Sequence, residues 1–264
     1  MNPIRARILY GLLGVLTVFC LALSGQIGGQ VSSGAGGGGP DGFCSGSELF
    51  CEDFEGDDTS WDATSGTVDC DGYDADGDYC DDETTTYKNG SEAFGIRGTN
   101  TYFVQEALSS ADQTEFYFEL WMRIASSTAS FFDGAVGVFN DAEKRIAVVF
   151  NLWGSLFFAT KGGSTYPDTT YDISANTWTH IGVYYKMETG AANNDGIVRV
   201  WVNTDGGEFD VGDLVYSSTT VDTGHTTDSL GDGDEIVIQG PGSGYTHYID
   251  DFKVTAGAPT WSYE

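Results

Sequence analysis

The run from Trp178 to Met187, WTHIGVYYKM, is followed after the turn GAANNDG by IVRVWVN, Ile197 to Asn203, and both halves alternate with period two. In an extended chain side chains two apart share a face, so the alternation predicts a pair of strands with two unlike sides. Thr179, Ile181, Val183, Tyr185 and Met187 of the first strand, with Val198, Val200 and Val202 of the second, make a core face. The opposite face carries Trp178, His180, Tyr184 and Lys186, then Arg199, Trp201 and Asn203. Such a set is unusual on bare solvent, and function is expected there. The run Thr114 to Ala125 divides the same way, with Phe116, Phe118, Leu120 and Met122 against Tyr117, Glu119, Trp121 and Arg123. If the three strands lie in one sheet, their second faces combine into one aromatic and polar surface, and a curved sheet turns it into a groove.

Strand signals recur at short spacing through the rest of the chain, each bounded by Gly, Asn, Asp or Ser: EAFGIRG, TYFVQEAL, GAVGVFN, RIAVVFNLWG, SLFFATKG, DLVYSS, DEIVIQG and THYIDDFKV. A further strand is expected within FCSGSELFCEDFEG, Phe43 to Gly56. Beyond the N-terminal apolar run, no stretch of 11 residues or more has helical periodicity. Many short alternating strands without helices predict an all-β sandwich or barrel. With 264 residues and 40% hydrophobic content, the chain can bury one large core, and one main domain is expected.

The first 24 residues read as a secretion signal: Arg5 and Arg7, the apolar run ILYGLLGVLTVFCLAL, then small residues at Ala22-Leu23-Ser24. Left uncleaved, the same segment would be the chain's attachment to a membrane. Residues 25–42 are a Gly/Ser-rich flexible tether, and the folded domain is expected over residues 43–264. Without Arg5 and Arg7, nine basic residues stand against 40 acidic ones, a surface that repels nucleic acid and acidic lipid. Four cysteines remain: Cys44, Cys51, Cys70 and Cys80. An even count in an exported chain argues for disulfides, and proximity favours Cys44 with Cys51 and Cys70 with Cys80 among the three connectivities.

Taken together, LFCEDFEG, SEAFGIRG, FELWMRI, WTHIGVYYK, NNDGIVRVWVN and YIDDFKV resemble the concanavalin A-like jelly rolls, in particular secreted laminin-G-like domains and jelly-roll polysaccharide lyases. The resemblance runs from Phe43 to Val254 and implies a two-sheet antiparallel β-sandwich. The superfamily spans lectins, glycosidases, lyases and adhesion modules, so the fold does not name the activity. Two places depart from the lyase-like pattern: Lys186-Met187-Glu188 stands where those members have K-x-N, and Val200-Trp201-Val202-Asn203 where they have V-W-V-D.

Three chemistries follow from the second face. Flat rings stack on sugars while neighbouring polar groups fix their orientation, so Tyr117, Glu119, Trp121, Trp178, Trp201 and Asn203 are candidate glycan ligands. A lyase needs a cation to neutralise a uronate, for which Arg123 or Arg199 serves, and a base, for which Tyr184, His180 or Lys186 serves. Hydrolysis is the weakest fit, because the E-x-D-x-x-E strand of jelly-roll glucanases is missing: Glu119 is followed by Leu, Trp, Met and Arg. A separate signal lies in Asp74-Ala75-Asp76-Gly77-Asp78, where alternate carboxylates can converge on calcium while Gly permits the turn. Asp69, Asp71, Asp81 and Asp82 add oxygens, and the stretch resembles the D-x-D-G-D unit of thrombospondin type 3 repeats.

The sequence thus describes a secreted or cell-surface β-sandwich, stabilised by two disulfides and calcium, that binds a poly- or oligosaccharide. Polysaccharide β-elimination is the second reading. A structural adhesion module meeting other cell-surface proteins is the third.

Overall fold

The computed structural model describes residues 43–55, 62–63, 72–73, 79–97, 103–110, 112–125, 135–140, 144–150, 156–159, 173–190, 193–221, 233–239 and 246–261. The alternating runs of the sequence form strands, and three short strands at 62–63, 72–73 and 79–82 fall where no alternating run predicted one. In chain order the strands are β1 (Phe50–Glu52), β2 (Asp62–Ala63), β3 (Gly72–Tyr73), β4 (Tyr79–Asp82), β5 (Phe94–Arg97), β6 (Phe103–Ala107), β7 (Glu115–Ile124) and β8 (Ala135–Asn140). There follow β9 (Lys144–Phe150), β10 (Leu156–Ala159), β11 (Thr179–Lys186), β12 (Gly196–Asn203), β13 (Leu214–Val221), β14 (Glu235–Gln239) and β15 (His247–Ala256). A 3-10 turn, Val211–Asp213, precedes β13.

Among the described residues the strand pairings are antiparallel and fall into two sheets. The larger runs β13-β12-β11-β7-β15-β5-β4-β3, with β1 alongside β15; the smaller runs β10-β9-β8-β14-β6-β2. β15 divides one edge between two partners, giving His247–Ile249 to β5 and Phe252–Val254 to β1. The division falls at a bulge, where the register with β7 shifts between Asp250 and Lys253 and Asp251 takes φ 49°.

The predicted core faces are where the alternation puts them. Phe116, Phe118, Leu120 and Met122 of β7, Ile181, Val183 and Tyr185 of β11, and Val198, Val200 and Val202 of β12 are buried with Ile249, Phe252 and Val254 of β15. Val136, Val138, Ile236 and Ile238 of the smaller sheet close the other side of the same cluster. Met187 packs at its margin. The molecule is therefore an antiparallel two-sheet β-sandwich, as expected. Cys44 is bonded to Cys51, which fastens the segment leading into β1. Cys80, fully buried in the core, is also in a disulfide. Its expected partner Cys70 lies outside the described residues, as do Asp69, Asp71, Asp74, Asp76 and Asp78 of the expected calcium loop.

Phe118 is fully buried and meets Phe252 edge to face at 6.0 Å, so it ties β7 to the bulged half of β15. Phe118→Ala is expected to cost about 3–5 kcal/mol in urea unfolding. A loss below about 1 kcal/mol would mean that the two strands do not share this core.

Candidate functional site

The second faces of the three diagnostic strands do lie in one sheet. β11 is central, pairing His180 with Trp121, Gly182 with Glu119, Tyr184 with Tyr117 and Lys186 with Glu115 of β7. Across its other edge the same residues meet Asn203, Trp201, Arg199 and Ile197 of β12. β15 extends the rows beyond β7, placing Tyr248 beside Arg123, Asp250 beside Trp121 and Lys253 beside Glu119. One face thus holds most of the side chains expected there. Trp178 is half-buried and stands just before β11.

The middle of this face is not an open platform. Tyr117, Tyr184 and Trp201 are buried together with Phe209, and Trp261 from the C-terminal segment packs against them. Trp261 meets Tyr117 at 5.4 Å and Trp201 at 5.0 Å, both edge to face. Phe209 arrives on the loop after β12 and stacks on His180, with centroids 4.1 Å apart; His180 in turn stacks on Trp121 at 4.6 Å. Gly182 makes this cover possible. A Cβ there would stand 2.7 Å from the Tyr117 hydroxyl and 2.8 Å from the Phe209 ring, so a larger residue would lift the cover.

Beneath the rings sits a charged centre. Glu119 takes the Lys253 ammonium at 2.5 Å on one oxygen. Its other oxygen accepts a 2.5 Å hydrogen bond from the Tyr117 hydroxyl and lies 3.9 Å from His180 Nε2. Burial, reinforced by the neighbouring Glu119 charge, holds the Tyr117 phenol well above its ordinary range. His180 is lowered to about 4, chiefly by burial, against the pull of Glu119. Its imidazole is therefore neutral near pH 7.

The two ends of the face differ. At one end Tyr184 donates a 2.6 Å hydrogen bond to Glu115, and Lys186 pairs with the same carboxylate at 3.3 Å. Burial and then Glu115 raise the Tyr184 phenol above its usual range. Arg199 is directly across from Tyr184. At the other end Arg123 lies over the Tyr248 ring at 5.4 Å and donates to Asn176 at 3.3 Å, while the Lys88 ammonium lies 4.2 Å over Trp121. Lys88 is placed there by Asp250, whose carboxylate accepts the backbone N–H groups of Lys88 at 2.8 Å and Asn89 at 3.0 Å. The five candidate lyase residues are consequently spread out: Tyr184, Lys186 and Arg199 share one end, His180 lies under Phe209, and Arg123 sits about 20 Å from Tyr184 along the strands.

Sequence reasoning missed Lys88, Phe209, Tyr248, Lys253 and Trp261. Two of these were within its reach. Tyr248 and Lys253 belong to the strand read from THYIDDFKV, and only the bulge hides that both face Arg123 and Glu119.

No protein-family model matches the chain, and no characterised protein sequence matches it. Among solved structures, it is similar to the cellulose induced protein Cip1, with 14% identity over 80% of this chain and 100% of that one and a TM-score of 0.55. It is also similar to the marine PL-14 alginate lyase from Aplysia kurodai, with 11% identity over 67% of this chain and 87% of that one and a TM-score of 0.50. At such identities these likenesses show a shared fold.

Asp250 is buried and raised to about 7, first by burial and then by the charge of Asp251, against three lowering backbone hydrogen bonds. Its unfolded value is about 3.9. Between roughly pH 4 and 7 the native state therefore holds a proton that the unfolded chain has released, so this group's contribution falls as pH rises through that window. The stability of Asp250→Asn, measured against pH, is expected to be less negatively sloped than that of the parent by up to about 1.4 kcal/mol per pH unit. Parallel profiles would show that Asp250 titrates normally.

Proposed function

We propose that the domain is a non-catalytic glycan-binding module of an exported or cell-surface protein. The observation that carries this reading is the Arg123 end of the face. There a half-buried ring, Tyr248, stands beside the donors of Arg123, with the Asn176 amide and Lys88 next to it. A ring for a sugar face, flanked by groups that hydrogen-bond hydroxyls, is what a glycan site requires. The reading is supported by the fold shared with a cellulose-induced protein and an alginate lyase. The Cys44–Cys51 disulfide suits an oxidising, extracytoplasmic setting.

Binding is favoured over elimination by the state of the candidate bases. A lyase tyrosine must lose its proton easily, whereas Tyr184 donates to a carboxylate and is raised by burial and then by that carboxylate. Lys186 is engaged in an ion pair with the same Glu115 at 3.3 Å. His180 is neutral but lies between Trp121 and Phe209, where a substrate proton has little access.

Affinity electrophoresis against a panel of soluble polysaccharides, with ultraviolet absorbance of unsaturated chain ends followed on the same samples, separates the readings. Retardation by at least one polysaccharide without new absorbance is expected, and Tyr248→Ala should weaken it by up to about tenfold. Absorbance that rises with the parent chain and disappears with Tyr184→Phe would make the protein a lyase instead. No retardation by any polysaccharide would contradict both.

A further inference from the structure

We infer that the ligand is an anionic glycan, bearing carboxylate or sulfate groups, and that Lys88, Arg97 and Arg123 are the residues that select it; the inference rests on the glycan-binding reading above. The observation behind it is where a very acidic chain keeps its positive charge. The sequence holds 11 lysines and arginines against 40 aspartates and glutamates. Six of those 11 share the second face of the larger sheet. Arg123, Lys186, Arg199 and Lys253 are there by strand register, and Lys88 by its seat over Trp121. Arg97 joins them because Gly95 pairs with Tyr248, Tyr248 pairs with Arg123, and residue 97 falls on the same side as residue 95. The intervening Ile96 is fully buried in the core, which fixes the direction.

What these cations bind distinguishes them. Lys253 and Lys186 are neutralised by Glu119 and Glu115. Among the described residues, Lys88, Arg97, Arg123 and Arg199 have no carboxylate within ion-pair distance. With nearly four acids for every base, a surface arginine meets a carboxylate readily, so three cations at one end of one face that meet no carboxylate among the described residues suit an external anion. The nearby acidic loop does not supply it. Asp205 accepts the Gly207 N–H, Asp210 the Gly212 N–H, and Asp213 the Asp210 N–H and the Asn203 amide, so these carboxylates close their own turn.

The geometry suits a chain of charged sugars better than a single ion. Arg123 and Arg97 are two strand spacings apart and two residues out of line, roughly 12 Å, and Lys88 lies one row further along β7 on the other side of Arg123. Tyr248 separates the two arginines and offers its ring between them. Each guanidinium can grip a carboxylate or sulfate with two parallel N–H groups while the ring carries the sugar. Elsewhere the chain's net charge of −29 repels a polyanion, so attraction is confined to this patch.

The test is calorimetric titration of the full chain at about 0.15 M salt, where the Debye length of roughly 8 Å limits the general repulsion. Two matched pairs are used, polygalacturonate oligomers with their methyl esters and dextran sulfate with dextran, with polyglutamate as a polyanion lacking sugar. At least one charged member should bind about tenfold or more tightly than its neutral counterpart, and the stronger pair identifies carboxylate or sulfate. Arg123→Gln and Arg97→Gln should each weaken the charged ligand about tenfold and shrink the preference, with unchanged unfolding midpoints. Equal binding within both pairs would overturn the anionic preference while leaving the glycan reading intact. Polyglutamate binding as tightly as the charged glycan would also overturn it, because the patch would then recognise charge without sugar. Silence from every polysaccharide would remove the glycan reading itself.

Discussion

An ionised carboxylate taken out of water has to be met by a cation and by hydrogen-bond donors, or the sheet that carries it will not hold together. Glu119 imposes that demand at the middle of β7, with its side chain only 11% exposed. Lys253, Tyr117 and His180 surround it. Much of the architecture follows from delivering Lys253 to that point. Along β15, Tyr248 and Asp250 face the same side as Glu119, so strict alternation would send residue 252 there and residue 253 into the core. The bulge at Asp251 inserts one residue and reverses the phase. Phe252 then enters the core and Lys253 reaches Glu119. The same irregularity ends the pairing of β15 with β5 and begins its pairing with β1.

The second face is accordingly two regions with different physics. Over β11 and β12 it is a small apolar layer, closed by Phe209 and Trp261 above the bare backbone of Gly182. Closing it lowers the local dielectric and strengthens the Glu119 contacts, because water no longer competes for them. Over the Arg123 end of β7, β15 and β5 no such ring is found among the described residues, and cations lie over Trp121 and Tyr248. A long cation over a ring keeps its charged head near water while its stem covers apolar surface. One region therefore sets the shape of the sheet, and the other is left to meet a ligand.

Most of the fold was legible because period-two alternation is a local signal. The core faces of β7, β11 and β12 are fixed by residues two apart, and nothing distant is needed to read them. The candidate site was legible only in part, for the opposite reason. That β7, β11 and β12 pool their second faces could be guessed from their likeness, but what lies on them could not. Phe209 and Trp261 come from segments without alternation, and Lys88 is placed by an aspartate 162 residues away. Lys253 was obscured by a bulge that alternation cannot register. The expectation of an open aromatic platform arose because Trp201 and Tyr117 were read with no cover above them.

The most direct measurement is a double-mutant cycle on Glu119 and Lys253, using Glu119→Leu, Lys253→Met and the double variant in urea unfolding. Lys253 keeps a quarter of its side-chain exposure, so the pair is not fully dry, yet removing either partner strands a largely buried charge. Each single change is expected to cost about 2 kcal/mol or more, and the double variant clearly less than their sum, as befits residues in one network. Additivity within about 0.5 kcal/mol would contradict the view that this pair organises the face.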